Sequence, residues 1–183
     1  MKLEAPTSVE ASSTERHKET YPRASIIHFH FPARGELPPV RLTWYDGGLK
    51  PPRPDELGAT EELGEEGLMF IGDKGTILCG FNGNNPKLIS MSPKTATEER
   101  PRTRSRTGGG QNVREWLDAC KGGKTKPGAN FEFCGVVTEA LQLGNMAVRT
   151  GRRLTWDRAN LKVTNLAAAD QYIRPERRAG WEL

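Results

Sequence analysis

The chain has 183 residues, of which 35% are hydrophobic, 27% are charged and 7% are aromatic. This length fits one domain, and 20 glycines with 13 prolines predict many turns around a modest core. The formal net charge of +4 is too balanced for a dedicated nucleic-acid-binding protein. No apolar run approaches the ~20 residues of a membrane span, and residues 1–18 lack the apolar region of a signal peptide.

The three cysteines, Cys79, Cys120 and Cys134, form no C-x-x-C pair, and an odd number cannot all be bridged within one chain. We interpret them as reduced, buried thiols. Together with the lack of a membrane span, they predict a soluble protein that is cytoplasmic by default. Export of a longer parent protein stays open.

Alternating apolar and polar residues predict short strands in the first part of the chain. Residues 7–12 form the first strand, with Val9 and Ala11 on one face. The clearest strand is Ser25–Phe31, and a third follows over Val40–Tyr45. The side chains of the second strand alternate between two faces, with Ile27, Phe29 and Phe31 on one and Ile26, His28 and His30 on the other.

A proline-rich segment, residues 50–56, excludes regular structure before the next strands. Residues 68–71 and 76–79 then predict a hairpin around a glycine-rich turn, and residues 87–90 add a short strand. Short strands joined mainly by turns predict an open, mainly antiparallel β-sheet over residues 6–92.

A basic loop over residues 93–110 separates the strands from two predicted helices. Asn112 is the predicted N-cap of the first helix, whose apolar stripe consists of Val113, Trp116, Leu117 and Cys120. The second helix covers residues 136–150, with Gly151 just beyond its end. Its packed side is predicted to hold Val137, Ala140, Leu141, Gly144 and Val148.

Residues 154–156 form a short extended segment, and the chain continues to Leu183 as a polar tail with few core candidates. Because strands come first and helices second, the order predicts an α+β fold with helices packed on one face of the sheet. We expect a single domain over residues 1–183, in which the helical region and tail cover residues 111–183.

Two glycine-containing segments resemble nucleotide-binding loops only in part. Residues 108–110 precede a helix, but no strand leads into them and the G-x-G-x-x-G spacing fails. Residues 123–125 imitate the end of a P-loop, yet Asp118 occupies the position of its first glycine. We therefore expect a loop at the first segment, a helix terminus at the second, and no cofactor bound by this chain.

His28 and His30 share one face of a strand, which is a spacing that metal ligands use. His17 is the only other histidine, and Cys79 approaches them only if the strand order allows it, so a third ligand is not evident. We expect the two histidines to pack or form hydrogen bonds on a half-exposed sheet face. A second subunit can also bury that face.

Candidates for catalysis are few, and we assign no catalytic, cofactor-binding or metal-binding residue to this chain. Glu139 on the second helix is a candidate acid or base, with an exposed helical carboxylate as the alternative. The adjoining Glu98 and Glu99 favour a solvated loop over phosphate binding by four alternating arginines, Arg100, Arg102, Arg104 and Arg106.

Several segments together carry a resemblance to a known family. Residues 21–57, from YPRAS to PDEL, are similar to the central sheet region of the Gfo/Idh/MocA oxidoreductases. Residues 67–80 (GLMFIGDKGTILCG) resemble the next hairpin of that family. The C-terminal helices and tail of the family resemble three segments of this chain, residues 115–124, 130–157 and 172–183. The likeness extends from about Pro6 to the end of the chain, and is closest to a bacterial subgroup of unassigned substrate.

The resemblance implies the C-terminal α/β domain of an enzyme that transfers hydride between a sugar or polyol and NAD(P). In the family, an N-terminal Rossmann domain carries the nucleotide loop, and the lysine or histidine acid/base group also lies upstream of the matching region. No catalytic residue is therefore carried over to this sequence. We expect a truncated gene, an internal start or an expressed fragment that is inactive alone.

The partners that this interpretation predicts are the Rossmann domain of the parent protein and a second copy that packs on the sheet face. The alternative hypothesis is a non-enzymatic module that associates through the same face, because Ser25–Phe31 carries large residues on both sides. Nucleic-acid binding by the basic loop is a third hypothesis, and neither nucleic acid nor membrane is an expected partner.

Overall fold

The computed structural model describes residues 3–89 and 110–181. Within these ranges the chain forms two open sheets, two α-helices and a short 3₁₀ helix, which confirms the predicted α+β class. In chain order the elements are β1 (Ser8–Ser13), β2 (Ser25–Phe31), β3 (Val40–Tyr45), β4 (Leu68–Gly72), β5 (Gly75–Cys79), β6 (Lys87–Ile89), α1 (Gln111–Cys120), α2 (Phe131–Thr150), β7 (Leu154–Asp157), β8 (Lys162–Val163) and the 3₁₀ helix (Ala167–Tyr172).

The chain divides into two compact units. The larger unit consists of Met1–Leu49 and Thr107–Leu183, and the smaller unit consists of Lys50–Arg106. The predicted antiparallel strands lie in two open sheets, because β4, β5 and β6 form a separate sheet after the proline-rich segment. The single domain over residues 1–183 stays a prediction, and most of the basic loop lies outside the described residues.

The larger unit is built on a five-stranded antiparallel sheet with the order β3-β2-β1-β7-β8. Ser8 and Val9 of β1 pair with Thr155 and Leu154 of β7. Val9 and Leu154 are both fully buried. The late segment that we predicted only as extended therefore supplies a strand at the centre of the core.

α2 lies on one face of this sheet, against β1 and β2. Burial alternates strictly along β2, and the predicted set of Ile27, Phe29 and Phe31 is the buried one. These side chains form a continuous core with Val9, Leu143, Met146, Ala147, Val148, Leu154, Val163 and Ala169. The prediction of a helix packed on one face of the sheet is confirmed for α2.

Gly144 is where α2 comes closest to the sheet. A Cβ atom at this position would lie 2.8 Å from Cζ of Phe29 and 3.6 Å from Cδ1 of Ile27. Because Gly144 has no side chain, the Phe29 ring can occupy the space that a Cβ atom would take. This explains why a residue with poor helix propensity is found in the middle of a 20-residue helix.

The start of α2 and the side that it packs both differ from the prediction. The helix begins at Phe131 because the Asn130 side chain caps it, accepting a hydrogen bond from the Phe133 backbone N–H at 3.1 Å. Only the second half of the helix is buried, so Val137 and Leu141, which we assigned to the packed side, are exposed. The predicted end at Gly151 is confirmed by its left-handed φ of 61°.

α1 forms where expected but buries none of its side chains. Gly110, with a φ of 105°, is its N-cap in place of the predicted Asn112, and no side chain caps the helix. The predicted apolar stripe is present, yet each of its members is exposed: Val113, Trp116, Leu117 and Cys120. α1 is therefore an amphipathic helix whose apolar side has no cover among the described residues.

The segment after β7 contributes to the core, which corrects the expectation of a polar tail. Val163 of β8 and Ala169 of the 3₁₀ helix are almost completely buried, and both belong to the core cluster. These elements are a two-residue strand and a single short 3₁₀ helix. Neither is long enough to show a periodic pattern in the sequence.

The smaller unit combines the three-stranded sheet β4-β5-β6 with a loop organised by one arginine. The guanidinium of Arg53 donates hydrogen bonds to the backbone carbonyls of Pro54, Leu57, Gly58 and Glu61. Leu57 in this loop and Ile89 in β6 are both buried. The predicted hairpin around residues 72–75 is confirmed by the pairing of β4 with β5.

In the part of the chain that the structure describes, neither helix combines the length and the apolar character that crossing a bilayer requires.

Two glycines of α2 provide a test of the close helix–sheet contact. Gly144→Ala should lower the free energy of unfolding by about 1–3 kcal/mol, because the added methyl group displaces the Phe29 ring. Gly135→Ala is the matched control, since nothing lies within 4 Å of its Cβ position. It should raise stability by about 0.5–1 kcal/mol through helix propensity. Urea denaturation followed by circular dichroism measures both, and equal effects would contradict the packing argument.

Candidate functional site

The face of the five-stranded sheet opposite α2 carries the histidine pair. His28 and His30 are half-buried, and each is bonded to a neighbouring strand. Nδ1 of His28 lies 3.0 Å from Oγ1 of Thr43, and Nε2 of His30 lies 3.4 Å from Oε1 of Glu10. The expectation that these histidines form hydrogen bonds on a half-exposed face is confirmed.

Metal chemistry at this face would need a third ligand beside the histidines. Among residues 3–89 and 110–181, no group of three His, Cys, Asp or Glu side chains is placed to hold an ion. Cys79 belongs to β5 of the smaller unit, so it is not part of the histidine sheet. The contacts that the structure shows for the two imidazoles are those with Thr43 and Glu10 on the neighbouring strands.

The same sheet face presents a mixture of apolar, hydrogen-bonding and charged groups. The strand register places Ile26 beside Tyr45 and His30 beside Arg41. Ile26 and Tyr45 are half-buried, whereas Arg41 is exposed. Such a combination of large amphipathic side chains and hydrogen-bonding groups suits contact with another protein surface.

Glu139 is not the exposed helical carboxylate of the alternative interpretation. Its side chain is only 17% exposed. Nε1 of Trp156 donates to Oε1 of Glu139 at 2.7 Å, and Nε of Arg158 lies 3.4 Å from Oε2. Arg158 also lies 3.5 Å from Glu4. The carboxylate therefore joins α2 to β7 and to the residue that follows β7.

The sequence held no signal for this network. Trp156 and Arg158 follow Glu139 only after the end of α2 and a turn, so no fixed spacing links them.

The turn after β7 is stabilised by Asp157, which accepts hydrogen bonds from the side chain and the backbone N–H of Asn160 at 2.7 and 3.2 Å. The hydrogen bond from the Asn160 side chain is the main cause that lowers the pKa of Asp157.

The first half of α2 presents an apolar surface beside an open pocket of about 230 Å³. Phe133, Val137 and Leu141 are spaced four residues apart, so they share one side of the helix, and all three are exposed. We call them the α2 stripe. The pocket is lined by Leu3, Glu4, Glu132, Phe133, Val136, Val137 and Arg158. It thus combines an apolar wall with the Glu4–Arg158 ion pair.

A second depression lies at the other end of α2 and is lined by Arg16, His17, Thr20, Tyr21, Pro22, Asn145, Val148 and Arg149. Its volume of about 10 Å³ is close to that of a single water probe. Arg149 donates a hydrogen bond to the carbonyl of Lys18 at 3.0 Å. Arg16 and Arg149 lie at the C-terminal end of α2, where positive side chains interact favourably with the helix dipole. This interaction explains the cluster of basic residues without a bound ligand.

Some of the remaining sequence candidates lie within the described residues. Gly123 donates its backbone N–H to the carbonyl of Asp118 at 2.8 Å, which confirms a helix terminus at residues 123–125. The four alternating arginines lie outside the described residues, as do Gly108 and Gly109. All three cysteines are free thiols, but Cys120 is exposed and Cys79 and Cys134 are half-buried, so the expectation of buried thiols was wrong.

Comparisons with models of known protein families and with curated proteins found no match to this chain.

The hydrogen bonds of Glu139 predict how much stability two substitutions at this position should cost. Glu139→Ala should lower the free energy of unfolding by about 1–3 kcal/mol, because the partly buried Trp156 N–H loses its acceptor. Glu139→Gln should lose less, since its amide oxygen can still accept from Trp156. Urea denaturation followed by tryptophan fluorescence measures the series. The control is Thr138→Ala at an exposed position of α2, which should not lower the free energy of unfolding. Equal losses at both positions would contradict the assigned role.

Proposed function

We propose that this chain is the C-terminal substrate and oligomerisation domain of a Gfo/Idh/MocA-type oxidoreductase that acts on a sugar or polyol. In this proposal a Rossmann domain of the parent protein binds NAD(P) and supplies the acid/base group. The present chain shapes and supports the site, and it is inactive alone. The resemblance across nearly the whole chain supports the proposal, as does an open sheet that carries α2 on one face only.

The observation that carries the proposal is the unequal burial of α2. The second half of α2 is part of the core, whereas the first half leaves Phe131 97% exposed beside the exposed residues of the α2 stripe. Several large apolar side chains in one region are unusual on a monomer and mark a contact surface. A second domain that packs on the first half of α2 would bury them. We propose that the Rossmann domain does so.

We propose the cytoplasm as the default location of such an enzyme, and export of the full-length parent is the alternative. Three free thiols support the reducing compartment.

The test compares the 183-residue chain with the product of the complete open reading frame read from genomic DNA. The chain alone should show no saturable NADH binding at micromolar concentration in a fluorescence titration. The complete product should bind the cofactor and oxidise a sugar or polyol with NAD(P). Micromolar NADH binding by the chain alone would overturn the proposal, as would a reading frame without a Rossmann domain.

The alternative function is a non-enzymatic module that associates through the histidine-bearing sheet face. The half-buried Ile26, His28 and Tyr45 favour it, because these amphipathic side chains are typical of protein interfaces.

Light scattering of charged variants tests this alternative. The double variant Ile26→Glu, His28→Glu should reduce a mass greater than one chain to that of a monomer, since the new carboxylates must be desolvated in the interface. Ser12→Glu is the matched control on the same face, at an exposed position of β1. A mass that is unchanged by the double variant would count against sheet-face association.

A further inference from the structure

The loop between β5 and β6 contains the only asparagine of the chain that a glycine follows, at Asn82 and Gly83. This dipeptide permits a spontaneous reaction, in which the backbone nitrogen of the glycine attacks Cγ of the asparagine side chain. A side chain on the following residue hinders that approach, and glycine has none. Asparagine is accordingly one of the thermally labile residues of proteins.

Both residues lie in an exposed turn of the smaller unit. The backbone N–H of Gly83 donates to the carbonyl of Gly80 at 2.8 Å, so Asn82 and Gly83 are the third and fourth residues of a β-turn. The reaction requires this N–H to be released. Exposed loops open at a free-energy cost far below that of global unfolding, and the attacking nitrogen thus becomes available in the folded chain.

The surroundings leave the Asn82 side chain free to reach that nitrogen. A Cβ atom built on Gly83 would have no other atom within 4 Å, so the space beside its backbone is open. In the part of the chain that the structure describes, no hydrogen bond holds the Asn82 side chain. The side chain can therefore rotate until Cγ faces the Gly83 nitrogen.

The other asparagines are placed less favourably for this reaction. Four of them hold their side chains in hydrogen bonds, namely Asn130, Asn145, Asn160 and Asn165. Each asparagine apart from Asn82 precedes a residue that carries a side chain, and Pro86, which follows Asn85, lacks the N–H group altogether. Asn82 is therefore the asparagine that we expect to react first.

An aspartate that precedes a glycine can form the same cyclic imide, and Asp46–Gly47 shows how a fold prevents it. The Asp46 carboxylate accepts hydrogen bonds from the backbone N–H of Ser25 at 2.5 Å, from its hydroxyl at 2.8 Å and from Nε1 of Trp44 at 3.0 Å. A Cβ atom on Gly47 would collide with a neighbouring backbone carbonyl, so this glycine is tightly enclosed. Neither restraint is present at Asn82 and Gly83.

We propose that Asn82 is a site of spontaneous deamidation in the folded protein. The Gly83 nitrogen loses its proton and forms a bond to Cγ of Asn82, and the side-chain nitrogen leaves as ammonia. Water then adds to either carbonyl of the resulting cyclic imide. Ring opening gives aspartate or isoaspartate, so a carboxylate replaces a neutral amide without any oxidant or reductant.

The isoaspartate product changes the loop that leads into β6. Its main chain runs through the former side chain, which adds a carbon atom to the backbone of the turn. Two hydrogen bonds close this loop, from Gly83 N–H to the Gly80 carbonyl and from Gly80 N–H to the Asn84 carbonyl, and both depend on the original spacing. β6 consists of three residues and is paired with β5. We expect this pairing to weaken in the modified chain.

Peptide mapping of the full chain by mass spectrometry tests the proposal, which is independent of the enzymatic function because the site lies within the smaller unit. Samples are taken during incubation at neutral and at mildly alkaline pH. The peptide that contains Asn82 should acquire a carboxyl group before any other asparagine-containing peptide. The rate should increase with pH, because the Gly83 nitrogen must lose its proton before it attacks.

Three variants test the assignment to this pair of residues. Gly83→Ala should slow the reaction about tenfold, because the methyl group shields the nitrogen and restricts the backbone. Asn82→Gln should abolish it at this position, since the longer side chain would have to close a larger ring. Asn112→Gln at an exposed position of α1 is the matched control and should react at the wild-type rate. A wild-type rate in Gly83→Ala would overturn the proposal.

A sample of wild type unfolded in urea separates the effect of the fold from that of the sequence. If Asn82 is converted in the unfolded chain but stays an amide in the folded chain over the same time, the fold protects the site and the proposal is wrong. Hydrogen exchange measures the consequence. In the modified chain the amides of β6 should lose protection while those of α2 keep it, and unchanged protection of β6 would contradict the expected weakening.

Discussion

The larger unit depends on the close contact between Gly144 of α2 and the Phe29 ring of β2. Because the helix approaches the sheet at this point, Val9, Ala147 and Leu154 are enclosed with almost no solvent exposure. Protein interiors are packed too densely for such a contact to absorb even one extra carbon atom. The Glu139–Trp156 hydrogen bond then holds α2 against β7 on the same side of the sheet.

Much of the fold could be predicted from local patterns. The alternation along β2 gave the buried face correctly because a half-buried strand must place successive side chains on opposite faces. The hairpin formed by β4 and β5 was identified from its glycine-rich turn. The end of α2 followed from Gly151, since only glycine adopts a left-handed conformation at low cost. In each case a few adjacent residues determine the structure.

Features that depend on distant partners could not be predicted in this way. Val137 and Leu141 fit a packed helical stripe, but the sheet contacts only the second half of α2. Val163 and Ala169 lie in elements that are too short to show a period, and their burial results from contact with the rest of the core. The partners of Glu139 are brought together only by the fold, so the sequence pointed to a carboxylate without indicating its role.

The order of the five-stranded sheet has a consequence for biosynthesis. β1 pairs with β2 through a local connection, whereas its other neighbour, β7, is synthesised only after the smaller unit and both helices. The smaller unit lies between them in the chain and pairs its strands through short turns, so it can form first. Until Leu154 leaves the ribosome, one edge of β1 lacks its partner strand and Val9 lacks its cover. Unpaired strand edges and uncovered apolar side chains of this kind make partly folded chains prone to aggregation.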